Sequence, residues 1–277
     1  MRHRTLLEFK HYRYLKIACV LAAAVILTYA SDHPAVGPYG GTWLGYALGT
    51  VGALIIVWLL WLGVRKRQYQ ASAGTLQGWL SAHVYLGTSL IVIVTLHTGF
   101  ELGWNIHTLA YMLMLAVIAS GFYGVYAYLR FPRLMTDNMG EDTLETLLLK
   151  IADLDRDARR VALQLPDEIN RIVLNASQST RIGGDLFQQL NGRQPNCPTT
   201  TAVRKVQELG TKLKGEHAKT NHELYSIMLR KQALVGRARQ DVMHKARLEL
   251  WLYFHVPLSI ALLAALSVHI VSVFFYW

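Results

Sequence analysis

Apolar residues along the chain gather into five long runs: Tyr14–Ala30, Trp43–Val64, Gly78–Phe100, Ile106–Leu129 and Leu250–Tyr276. Each is near the ~20 residues that an α-helix needs to cross about 30 Å of hydrocarbon. Between the fourth and fifth runs the pattern changes to a helical stripe on an otherwise polar sequence. Leu144, Leu147, Leu148, Ile151 and Leu154 recur at helical spacing, Pro166 restarts a second helix expected to reach Leu190, and Gly192–Pro198 breaks it. From about Thr201 a long amphipathic helix carrying Val203, Val206, Leu209, Leu213, Leu224, Ile227 and Leu234 is expected to run into the fifth span, with Gly210, Gly215 and Gly236 weakening it. The pattern predicts an all-α protein: an integral membrane five-helix bundle with a helical, hairpin-like or coiled-coil-like insertion. The expected divisions are an arm over 1–13, four spans over 14–130, the insertion over 131–249 and the fifth span over 250–277.

Composition agrees, since 52% of the 277 residues are hydrophobic and only 17% charged, too apolar for an ordinary soluble domain. Charge adds orientation. All 28 Lys and Arg lie in the N-terminal arm (Arg2, Arg4, Lys10, Arg13, Lys16), in Arg65-Lys66-Arg67, or between Arg130 and Arg247. By the positive-inside rule the N-terminus and the insertion are expected to be cytoplasmic and the C-terminus outside. The net charge of +10 then reflects topology, and nucleic-acid binding is not expected.

The chemistry sits in the third and fifth spans. His83 and His97 are 14 residues apart, and so are His255 and His269. Fourteen residues turn an α-helix by about 1400°, within about 40° of four whole turns, and advance it roughly 21 Å. Each pair therefore shares a helix face, with one histidine near each side of a bilayer. The predicted topology runs both spans from inside to outside, so His83 meets His255 near the inner surface and His97 meets His269 near the outer one. Two imidazoles facing each other can clamp a planar haem iron from both sides, so the layout predicts two haems stacked across the membrane. Intramembrane ionisable residues are costly and usually functional. Gly87 and Ser259 lie four positions after the inner histidines, where a macrocycle needs clearance, although small residues there serve helix packing equally well. His107, at the outer start of the fourth span, is placed to reach a haem propionate or a quinone. Arg65, Lys66 and Arg67 can neutralise inner propionates. Asp32, His33 and Glu101 offer protonatable groups at the outer surface. Gly45, Gly49 and Gly52 read as close packing of the second span.

A zinc or copper ion shared along one helix is ruled out by the ~21 Å between its histidines. Covalent c-type attachment needs a C-x-x-C-H run, and the two cysteines, Cys19 and Cys197, stand alone. They are expected to be free thiols, and the haems to be non-covalent, two haem b.

The run His83–His97 followed by Thr98-Gly99-Phe100, then Ser120-Gly121-Phe122-Tyr123-Gly124 and Pro132-Arg133-Leu134-Met135-Thr136, resembles bacterial membrane di-haem b-type cytochromes. More broadly, the histidine layout is similar to the membrane domain of ferric reductases and NADPH oxidases and to the haem core of respiratory cytochrome b. The resemblance covers the spans, about half the chain. It implies that His83, His97, His255 and His269 are axial haem ligands in a bacterial inner-membrane electron-transfer subunit. The flavin and nicotinamide domains of ferric reductases are absent, and no G-x-G-x-x-G or P-loop is present. The expected partners are therefore membrane lipid, a periplasmic c-type cytochrome and a cytoplasmic iron–sulfur or flavin protein. A quinone-reactive cytochrome b is the alternative in the same class. A haem-free membrane anchor or sensor is the alternative in another.

Overall fold

The computed structural model describes residues 6–35, 37–67 and 74–275, the Arg67 side chain excepted. Arg2, Arg4, Arg67's side chain and Tyr276, all used in the sequence reading, lie outside the described residues. A 3-10 turn at Leu6–Glu8 precedes nine helices among the described residues: α1 Arg13–Ser31, α2 Trp43–Arg67, α3 Leu76–Thr98, α4 Ile106–Met139, α5 Leu144–Ala162, α6 Asp167–Ser179, α7 Leu186–Asn191, α8 Pro198–Gly210 and α9 Glu216–Phe275. No strand occurs among these residues. Five of the helices are long and apolar enough to cross a membrane, and the protein is a multi-pass membrane protein.

The chain divides into two units, one made of residues up to Tyr126 together with those from Trp251 onward, the other of Ala127–Leu250. In the first unit, α3 packs against both α1 and α2. Two apolar clusters hold it. Val25, Leu48 and Ile93 join α1, α2 and α3, while Ile56, Leu90, Met114 and Leu262 join α2, α3, α4 and α9. Large apolar side chains also point outward, such as Val20 at 69%, Leu54 at 66% and Ile260 at 61% exposure. Burying such surface is worth about 25 cal/mol per Å², and lipid supplies that burial for a spanning helix.

The second unit is a small helical domain whose apolar faces close on each other. Ala158, Val161, Ile169, Val173, Val206, Leu224 and Met228 form its main core. Inside it Lys231 is fully buried and pairs with Asp155 at 2.6 Å, and its ammonium also donates to the Ala176 carbonyl at 3.0 Å. Arg239 donates to the Arg181 carbonyl, to Gln194 and to Cys197 Sγ. Burial works against ionising Cys197, but the Thr200 backbone and hydroxyl and the Arg239 guanidinium outweigh it and hold the thiol below its ordinary value. Cys19 and Cys197 are both free thiols.

Three boundaries differ from the sequence pattern, each for a local reason. The fourth span was expected to end at Leu129, but α4 continues through Pro132 to Met139. Gly140 at φ 60 stops it, and the Arg237 guanidinium donates to the terminal carbonyls of Asn138 and Met139, the cationic cap that a helix C-terminus favours. The helix expected from Pro166 to Leu190 is two helices, because Gly184 at φ 77 and the Asp185 cap of α7 restart the chain. The helix expected to run on from Thr201 breaks between α8 and α9. Gly215 adopts φ 62, and a Cβ on Gly210 would stand 2.1 Å from Asn221 Nδ2. Gly236, by contrast, is helical within α9, which also passes through Pro257.

Candidate haem-ligating site

The structure brings the four span histidines together two by two. The rings of His97 on α3 and His269 on α9 have centroids 6.1 Å apart and planes at 81°. His83 and His255, fourteen residues away on the same two helices, lie close enough to interact electrostatically. Between the two levels stand Leu90 and Leu262, each seven residues from both histidines of its helix and therefore on the same face. With Ile56 and Met114 they form a buried apolar layer.

His97 is seated by glycine. Its Nδ1 is 2.7 Å from the Gly45 carbonyl, so the ring donates Nδ1–H and leaves the Nε2 lone pair free. A Cβ on Gly49 would stand 2.7 Å from His97 Cε1, and one on Gly40 would touch the same ring at 3.6 Å. Gly45 and Gly49, read from the sequence as packing residues, are thus the hydrogen-bond acceptor and the wall of this histidine, respectively. At the end of α3, Gly99 takes φ 58, and a Cβ there would lie 2.2 Å from the Pro38 carbonyl oxygen. That explains the glycine of the Thr98-Gly99-Phe100 run: the 38–41 turn closes over the same end of α3.

His269 is held by a third ring. Its Nδ1 is hydrogen-bonded to Nδ1 of His107, and the two rings meet edge to face at 4.5 Å and 90°. His107 is itself fixed in the first turn of α4, where Asn105 Oδ1 accepts the Thr108 N–H at 2.9 Å, an N-terminal cap.

His255 rests on the Ser120-Gly121-Phe122-Tyr123-Gly124 run of α4. Its Nδ1 is 3.2 Å from Ser120 Oγ, while Trp251 Nε1 donates to the Ser120 carbonyl at 2.9 Å. A Cβ on Gly124 would stand 2.1 Å from the Trp251 ring, and one on Gly121 would lie 3.8 Å from His255 Cε1. His83 has the Leu59 carbonyl beside its ring, and its Nδ1 is buried with no hydrogen-bond partner.

The remaining candidates are spread out. Gly87 faces Leu59 of α2. The Ser259 hydroxyl donates to the His255 carbonyl one turn back at 2.7 Å. The Arg65 guanidinium donates to the Gly74 carbonyl. Lys66, Asp32, His33 and Glu101 are exposed.

The separation of His97 and His269 fits a bis-histidine metal. A metal–nitrogen bond of about 2 Å and about 1.2 Å from nitrogen to ring centre place two axial imidazole centroids about 6.4 Å apart across one metal, against the 6.1 Å of His97 and His269. Metal-bound histidine characteristically donates its other N–H to a carbonyl or another acceptor, which fixes tautomer and ring orientation. His97, His255 and His269 each have Nδ1 engaged, with Nε2 left over. Among the described residues no group of three or more His, Cys, Asp or Glu is placed to hold a metal ion.

No family model, curated protein or solved structure matches the chain.

Of the residues that touch the four histidines, local spacing singles out His107 by its level in the membrane but assigns no contact to Gly45 or Ser120. The Ser120 hydroxyl lay within a quoted motif without a role, and the signal for the His97 seat was the Gly45/Gly49 spacing of four, which marks one helix face.

Proposed function

We propose that this protein is a di-haem b-type cytochrome subunit that carries electrons across a membrane. The observation that carries the reading is the His97–His269 pair, 6.1 Å apart and perpendicular, with His83 and His255 one 14-residue interval away on the same two helices and near enough to interact electrostatically. In this reading His83 and His255 hold one haem iron and His97 and His269 the other. Bound haem supplies one-electron chemistry at iron. The chain's own part is to position and to insulate. Gly45, Ser120 and His107 orient three of the four imidazoles, and the Ile56, Leu90, Met114 and Leu262 layer excludes water between the levels. A charge crossing between the levels moves through the transmembrane field, which is worth about 2.3 kcal/mol per unit charge per 100 mV for a full crossing.

The distribution of Lys and Arg supports a cytoplasmic N-terminus, a cytoplasmic 131–249 insertion and an outside C-terminus. The resemblance to bacterial di-haem cytochromes supports a bacterial inner-membrane location. It also supports a larger redox complex, with a periplasmic c-type cytochrome on one side and an iron–sulfur or flavin protein on the other. The second unit, with its own core and charged surface, is the surface offered to the cytoplasmic partner.

The test is haem per chain in protein purified from membranes, with a reduced-minus-oxidised spectrum and acid–acetone extraction. Two extractable haems per chain are expected. A well-folded protein without haem overturns the reading and leaves the anchor or sensor alternative standing.

A further inference from the structure

We propose that His107 is the positioning residue of the outer haem: a second imidazole that holds His269 in its ligating tautomer through a ring-to-ring hydrogen bond. The inference rests on the di-haem reading and assigns His107 a role in it that does not require contact with the haem. The two rings share one hydrogen bond between their Nδ1 atoms, so one ring must donate and the other accept. A neutral imidazole carries one N–H and one lone pair. If His107 donates, the proton of His269 sits on Nε2 and blocks that nitrogen as a ligand. If His269 donates, its Nε2 lone pair is free and directed away from His107. Only the second arrangement lets His269 face His97 as a ligand, and in it His107 is the acceptor, with its own proton on Nε2.

The geometry supports an acceptor built into the frame. His107 is in the first turn of α4, pinned by the Asn105 cap, and meets His269 at 90°, which aims a ring edge rather than a face at the neighbour. The two ligands at this level are then oriented by different means. His97 uses a backbone carbonyl that no substitution can delete, whereas His269 depends on one side chain. A single replacement at position 107 can accordingly tune this level.

The variants are His107→Leu, which cannot accept, and His107→Gln, whose amide oxygen can. Loss of an outer-shell partner typically weakens a metal site about 10–100-fold. In His107→Leu, retention of the outer haem against apomyoglobin should fall by about that factor. Its midpoint potential should rise, because an imidazole that no longer shares its N–H is a weaker donor to oxidised iron. Its low-spin electron paramagnetic resonance signal should shift. His107→Gln should restore all three toward wild type, and the inner haem, identified as the one that survives in His97→Ala, should be unchanged throughout. Unchanged retention and potential in His107→Leu overturns the proposal. So does equal loss in Leu and Gln, or loss of both haems together, since each means that the ring acts on packing. A wild-type protein without haem overturns the di-haem reading itself, and this inference with it.

Discussion

Gly49→Ala should remove the outer haem while leaving the inner one in place. The added methyl would stand 2.7 Å from Cε1, 3.0 Å from Nδ1 and 3.2 Å from Nε2 of His97. The obstacle is a rigid ring rather than the end of a flexible chain, and the ring cannot retreat without giving up the 2.7 Å contact with the Gly45 carbonyl. Tilting α2 away would open the close approach of the next glycine on the same face, Gly52, to Val94. The expected outcome is at least the 10–100-fold loss of metal affinity that follows removal of an outer-shell partner, read as one haem per chain instead of two. Gly63, with open space around its Cβ position, is the control: Gly63→Ala should keep both haems. Two haems in Gly49→Ala would mean that His97 is free to move and is not seated as a ligand.

Asp155→Ala should be the most damaging single change in the second unit. Lys231 is 1% exposed and its carboxylate partner 15%, so deleting Asp155 leaves an ammonium in the core with the Ala176 carbonyl as its remaining hydrogen-bond partner at 3.0 Å. Breaking a buried pair from one side costs about 3–5 kcal/mol, whereas replacing both partners with apolar residues is often neutral. The expected result is a large rise in proteolytic sensitivity between α5 and α9 of the full-length protein in detergent, with a matching fall in its thermal midpoint. Asp155→Leu combined with Lys231→Met should recover most of the loss. Equal sensitivity of the single and double variants would show that the pair does not hold this core.

The parts legible in the sequence are those that repeat with the helix. The five apolar runs are legible by their length and the 14-residue histidine interval by the helical period, and the structure has five long apolar helices over those runs, with the histidines at matching levels on α3 and α9. What was not legible depends on contacts between distant segments. Gly45 meets His97 across 52 residues, His107 meets His269 across 162 and Ser120 meets His255 across 135. None of these can be read from local spacing. Helix ends were misplaced where a tertiary contact decides them: Arg237, 98 residues away, caps Met139 and lets α4 run past Pro132, which local rules treat as a stop. Gly215 and Gly236 are the same residue type in a similar setting. Yet only the first lies outside a helix, immediately before the start of α9, and only the first takes a positive φ.

The most direct measurement is haem content and reduced-minus-oxidised spectrum for the four variants His83→Ala, His97→Ala, His255→Ala and His269→Ala, side by side. The pairing predicts two classes: His97→Ala and His269→Ala lose the same spectral component, His83→Ala and His255→Ala lose the other, and each variant retains the haem held by the opposite pair. Four variants that each keep two haems, or components lost in the crossed combination of His83 with His269, would contradict the account.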